Sequence, residues 1–228
     1  AVEERRVNLE VFKARIGAGQ AEVTGRLAFD PSADSLPYRL EAAFSLLAFD
    51  VGNYLRSANA EEQPLFEGLA SVRGQASAEA PAVDTLGEYL TGECVLSASN
   101  GVVRALRRGK VGGTLGLAGA LGELGGRLAG KPKVEAVGKI VSYFNAIEFE
   151  KIRLSARRNR DLTVDVQEMT LRNPDLLIEG QGRVLHEPGR QFLRQPLEID
   201  LDMGARPPLS VLFAELGVLE EKQDDKGY

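Results

Sequence analysis

Glu148 and Glu150 stand two residues apart, as do Asp200 and Asp202, each pair in a stretch that alternates apolar and polar residues. That spacing sets both carboxylates of a pair on one face of a strand, and two carboxylates are the minimum for glycoside hydrolysis. Sugar sites commonly add Trp and Tyr surfaces; neither pair has them, and the chain contains no Trp. Both pairs therefore read as the wet faces of amphipathic strands. Gly125-Gly126-Arg127-Leu128-Ala129-Gly130-Lys131 matches a phosphate-binding loop up to its last residue. Pro132 then occupies the place of the Ser or Thr that would hold magnesium, and the stretch follows a helical pattern instead of a strand. His186, the one histidine, lies beside Glu187-Pro188-Gly189 and reads as an exposed loop residue. Cys94, the one cysteine, can make neither an internal disulfide nor a multi-thiolate zinc site, and its alternating surroundings place it as a buried strand residue. With no Gly-x-Ser-x-Gly elbow either, the expectation is a non-enzymatic chain with no catalytic residues, no metal site and no cofactor.

The elements that would have to position chemistry are more informative. Period-two alternation recurs from Val7 to Val11, Ala21 to Phe29 and Tyr38 to Leu46. It returns from Phe66 to Ala76 and from Gly92 to Ala98, where Asn100-Gly101 is the sequence of a type I′ hairpin turn. Further strands are expected from Ile152 to Ala156, Leu162 to Leu171, Leu176 to Val184 and Leu197 to Met203. The phase change before Met169 predicts a bulge near Gln167 and Glu168. Each strand is apolar on one side and wet on the other, as at Tyr38, Leu40, Ala42, Phe44 and Leu46 against Arg39, Glu41 and Ser45.

The middle changes period. Leu117, Leu121, Leu124 and Leu128 form one helical stripe; after Pro132, Val134, Val137, Val141 and Phe144 form another. A Gly-rich helix and a second helix, joined near Gly130-Lys131-Pro132, are predicted to cap an apolar sheet. Shorter helices are predicted from Asp84, as N-cap, to Leu90 and from Leu209 to Leu219 after Pro207-Pro208. The fold class is mainly β (α+β): a long curved antiparallel sheet with one apolar face, half-pipe in form, interrupted by a helical pair and short helices.

Composition narrows the partners. The 228 residues suffice for a sizeable core, with 43% hydrophobic and 27% charged residues. A net charge of −5 argues against nucleic acid. The basic clusters Arg104, Arg107, Arg108, Lys110 and Arg157, Arg158, Arg160 have no interleaved aromatics and read as solvated faces. No apolar run of about 18 residues could span a bilayer. The chain lacks an initiator Met and starts and ends in mid-pattern, so a strand-rich fragment of a larger protein is expected. No Gly-rich linker divides it; its rhythm has two parts, residues 1–60 and 61–228, with a helical insert at about 114–146.

Residues 61–228 resemble the C-terminal region of the AsmA-like family of Gram-negative envelope proteins. One stretch that carries the likeness is Leu86-Gly87-Glu88-Tyr89-Leu90-Thr91-Gly92-Glu93-Cys94-Val95-Leu96, leading into Asn100-Gly101-Val102-Val103. A second is Phe144-Asn145-Ala146-Ile147-Glu148-Phe149 with the return Asp161-Leu162-Thr163-Val164-Asp165-Val166. The third is Leu176-Leu177-Ile178-Glu179-Gly180-Gln181-Gly182-Arg183-Val184 before Leu197 to Leu201. The resemblance implies a periplasmic module whose full-length protein is anchored in the inner membrane. It also implies phospholipid transport or outer-membrane homeostasis, through an apolar groove that carries acyl chains. In such a sheet the groove would be lined by Phe44, Leu46, Val72, Leu96, Ile152, Leu154, Val164, Ile178, Val184, Ile199 and Leu201. The alternative is an architectural domain with a closed core, supporting envelope assembly by pairing its sheet edges with other envelope proteins or adjoining segments of the same chain.

Overall fold

The computed structural model describes residues 5–33, 35–58, 64, 66–104, 131–190, 195–217 and 227. Nine strands form one antiparallel sheet in sequence order: β1 (Arg5–Ile16), β2 (Gly19–Phe29), β3 (Tyr38–Asp50), β4 (Phe66–Ala80), β5 (Thr91–Val103), β6 (Ile147–Arg158), β7 (Val164–Arg172), β8 (Leu176–Val184) and β9 (Leu197–Ala205). The helices are α1 (Val51–Ala58), α2 (Lys131–Asn145) and α3 (Leu209–Leu216). The fold is thus the mainly β, open antiparallel sheet expected from the alternation, and β3 pairs with β4 across the boundary between residues 1–60 and 61–228. The three described helices join the same long side of the sheet, where β3, β5 and β9 end.

Bulges keep one face apolar along strands whose alternation breaks. In β1 the register skips from Leu9 to Phe12, in β3 from Leu46 to Phe49, and in β7 from Val166 to Met169. An extra residue moves the next apolar side chain from spacing two to spacing three and adds local twist. The bulge expected near Gln167 and Glu168 is the last of these. At Ala48 the backbone turns to φ 51°, and its N–H is satisfied by Ser71 Oγ at 3.1 Å.

Asn100-Gly101 is a bulge too, not the expected hairpin turn. Asn100 has φ 51°, but β5 continues to Val103, paired with β4 on one side and with β6 on the other. Both neighbours pair with Val102 and Val103, and β6 also pairs with Gly101, so positive φ is spent on the bulge opposite Gly68, itself at φ 143°. A Cβ at Gly101 would collide with the Glu67 carbonyl and the Phe149 ring.

The helix expected from Asp84 to Leu90 is only a 3-10 turn, Val83–Thr85, preceded by Ala82 with no side-chain cap. Of residues 81–90 only Leu86 is buried, and so short a helix has no stability without a packed face. The Gly-rich helix predicted over Leu117 to Leu128 and the phosphate-loop lookalike up to Gly130 lie outside the described residues. Helix α2 follows Gly130 as expected, but its buried stripe is Ala136, Ile140 and Phe144 at strict i, i+4 spacing, whereas Val141 is exposed. Helix α3 starts after cis Pro207-Pro208 and ends at Gly217, whose left-handed φ of 71° suits a residue without a Cβ.

The main core forms where α2 and α3 lie on the sheet. Ile140 and Phe144 meet Leu209, Phe213 and Leu216 over Ile147, Leu176, Ile178 and Ala205. Burying each large side chain contributes about 1.5–3 kcal/mol. Two smaller clusters flank it: Phe149 with Ala70 and Ala98, and Leu86 over Ala78 and Ala80 near Tyr38 and Leu40.

The wet face is laced across the strands. Gln75, Glu93, Arg157, Asp165, Arg183 and Glu198 stand in one register row. Gln75 Nε2 donates to Glu93 at 2.8 Å, Arg157 lies 3.4 Å from Glu93, and Arg183 Nε donates to Asp165 at 2.7 Å. Each pair is exposed, so solvent screens it and it adds little to stability. Their alternating signs oppose a one-residue slip, which would move every charge onto the apolar face.

The Asp165 carboxylate also accepts from Asn159 Nδ2 at 2.7 Å, and that bond, followed by the one from Arg183, holds its pKa below the ordinary aspartate value. A folded-state pKa below the unfolded one means that this stabilisation is present above the unfolded pKa and is lost as pH falls through the folded pKa. Asn159→Ala is expected to raise the Asp165 titration midpoint, measured by carboxyl-detected NMR; an unmoved midpoint would refute the assignment of cause.

Candidate functional site

Register places all eleven groove candidates on the same face. One row across the sheet runs Val23, Phe44, Gly74, Cys94, Ala156, Val166, Gly182, Ile199. The next runs Ala21, Leu46, Val72, Leu96, Leu154, Met169, Gly180, Leu201. Ile152 and Ile178 share a row through Leu171, and Val164 pairs directly with Val184. Direct cross-strand partners project to one side of a sheet, so these side chains form a continuous apolar surface.

Cover divides that surface. Ile178 is 6% exposed beneath the two helices, and Leu201 packs against the edge of the same cluster. Ile152 packs against the Phe149 cluster. Phe44, Leu46, Val72, Leu96, Leu154, Val164, Val184 and Ile199 are half-buried and belong to none of the three buried clusters. They make a band that crosses the strands from β3 to β9, bounded by α2 and α3 on one side and near β3 and β4 by the Leu86 turn on the other. At about 4.8 Å per strand the band is about 29 Å long.

Val23, Val166 and Met169 belong to the same surface and were not anticipated as lining. Small residues leave recesses in the rows: Cβ atoms at Gly74 and Gly180 would strike Phe44 and Leu201, each at 2.6 Å. Those side chains lean over the glycines, as large-beside-small packing requires. Cys94 is only partly covered, because the sheet is open there instead of closed by a second layer.

The opposite face bears the charge. A depression of about 960 Å3 reaches from Asn8 on β1 to Arg160 beyond β6, across Arg26, Glu41, Glu93 and Arg157. Mixed charges in register suit water and ion pairing, not acyl chains. Arg158 instead shares the apolar face, in the row of Val164 and Val184, where it donates to the Gly87 carbonyl at 3.2 Å; Arg104 pairs with Glu67 at 3.0 Å while donating to the Pro64 carbonyl at 2.8 Å. Arg107, Arg108 and Lys110 lie outside the described residues. Glu148, Glu150, Asp200 and Asp202 are all exposed, as is His186 in the β8–β9 connection. Among the described residues no group of three or more His, Cys, Asp or Glu could hold a metal ion, and no helix is long and apolar enough to cross a membrane.

No protein-family model matches the chain, and neither the curated proteins nor the solved structures include a match.

Proposed function

We propose that this chain is an acyl-chain-binding segment of an AsmA-like protein in the Gram-negative periplasm, serving phospholipid transport or outer-membrane homeostasis without catalysis. The observation that carries the reading is the half-buried band from Phe44 to Ile199, continuous across seven strands and outside every buried cluster. Its length of about 29 Å exceeds the roughly 15 Å that an acyl chain spans in one leaflet of a hydrocarbon core about 30 Å thick. Each methylene removed from water there contributes about 0.8 kcal/mol. Charged residues on the reverse face, including Glu93 and Arg157, would keep that face in water.

Photocrosslinking from Leu154 and Val164, combined with lipid mass spectrometry of protein purified from a bacterial envelope, tests this. Phospholipid adducts are expected at both positions and none at Ile178, which is closed over by helices. Leu96→Asp is expected to cut bound lipid more than tenfold, since an aspartate among acyl chains costs about 2.5–3.5 kcal/mol. Lipid-free protein with no adduct at either band position would defeat the proposal. The second reading, an architectural domain, is supported by the two sheet edges, β1 and β9, that no strand covers among the described residues.

A further inference from the structure

Among the described residues no strand pairs with the outer side of β1 or of β9. Both are long for edge strands, with 12 and 9 residues, and both are exposed, Val7 at 68%, Phe12 at 54% and Leu197 at 48%. Every second backbone N–H and C=O of each points away from the sheet, a template for another strand.

The two edges carry opposite charge. Strand β1 has Arg5, Arg6, Lys13 and Arg15 against Glu10 alone; β9 has Glu198, Asp200 and Asp202 and no basic residue. Register puts Arg6, Lys13 and Arg15 on the same face as the three β9 carboxylates. Pairing β1 with a second β1, or β9 with a second β9, would bring like charges together on that face, which is destabilising. Pairing β1 with β9 brings opposite charges together and keeps apolar beside apolar.

We infer that β1 of one copy of this chain pairs with β9 of another, so that the protein associates head to tail through its sheet edges. The strand count sets the geometry. In a nine-strand meander β1 and β9 run the same way, so a continuation that keeps the faces aligned is a parallel pair. This contact is heterologous, and growth proceeds by addition at either end instead of stopping at a symmetric dimer. The inference is independent of the acyl-chain reading, because it uses the edges and not the band.

Sedimentation velocity on the wild-type chain, at rising concentration in about 0.05 M and about 1 M salt, is the first measurement. Species larger than a dimer are expected at low salt and loss of them at high salt, where the screening length is about 3 Å. Lys13→Glu with Arg15→Glu, or Asp200→Lys with Asp202→Lys, should each weaken association at least about tenfold. The chain carrying all four changes has exchanged its edge charges and should associate again. All four side chains are exposed, and circular dichroism of each variant verifies the fold; Lys13→Gln with Arg15→Gln replaces the reversed pair should that variant unfold. A wild-type chain that stays monomeric at low salt, a discrete dimer that does not grow, or a four-change variant that fails to associate would each overturn the inference.

Discussion

Asn173→Leu is expected to destabilise the protein by about 2–5 kcal/mol, read as a lower urea midpoint with an unchanged slope. Asn173 is the only buried polar residue among those described, 5% exposed, and each end of its amide is used. The oxygen accepts from the backbone N–H of Asp175 at 2.9 Å and of Leu176 at 2.7 Å, closing the β7–β8 turn. The nitrogen donates to the Glu148 carbonyl at 2.7 Å and to the Tyr143 hydroxyl at 2.8 Å, tying that turn to β6 and α2. Leucine fills the space but leaves the Leu176 N–H and the Glu148 carbonyl unpaired, at about 1–3 kcal/mol each. Asn173→Asp keeps an acceptor for the two backbone N–H groups but sets a second oxygen against the Glu148 carbonyl in a buried site, so a loss of similar size is expected. A leucine variant within about 0.5 kcal/mol of wild type, the usual range for surface changes, would show that the turn does not depend on this amide.

Phe144→Ala is expected to cost about 3–5 kcal/mol, the range for an aromatic removed from a packed core. Phe144 is 1% exposed and joins α2 to α3 and to β8, so the cavity would open where three elements meet. Besides Phe144, α2 holds to the sheet through Ala136 and Ile140, through partly buried Val137 and Tyr143, and through the hydrogen bond between Tyr143 and Asn173. Val141→Ala, one helix turn away and 40% exposed, is the internal control and should change stability by less than about 0.5 kcal/mol. Thermal and urea unfolding of the two variants distinguish the stripes directly. Equal losses at both positions would mean that α2 packs through the wider face its valines suggest.

The two cases illustrate where local pattern is sufficient. The loop at Asn173-Pro174-Asp175 is legible because Asx and Pro chemistry is local, but the reach of the amide to Glu148 depends on where β6 comes to lie. In α2, Val137, Val141 and Phe144 fit a helical stripe as well as Ile140 and Phe144 do. The choice is made by Leu209 and Phe213, which meet α2 from a helix more than sixty residues later in the chain. Asn100-Gly101 shows the same limit: positive φ serves a turn or a bulge equally, and only the presence of β4 and β6 on both sides of β5 decides for the bulge.

The sequence by itself determined that the strands exist, which residues each strand turns to its apolar side, and that the sides alternate wet and apolar. Those properties follow from a period of two residues and from short connections, and neither needs knowledge of the neighbours. Only the tertiary structure decided how the candidates divide: Ile178 is sealed under α2 and α3, whereas Phe44, Leu96, Leu154 and Val164 remain half open. All are equally hydrophobic strand residues. Cover is set by which helix folds back over which end of the sheet, a contact between elements distant in the chain, and no local spacing records it.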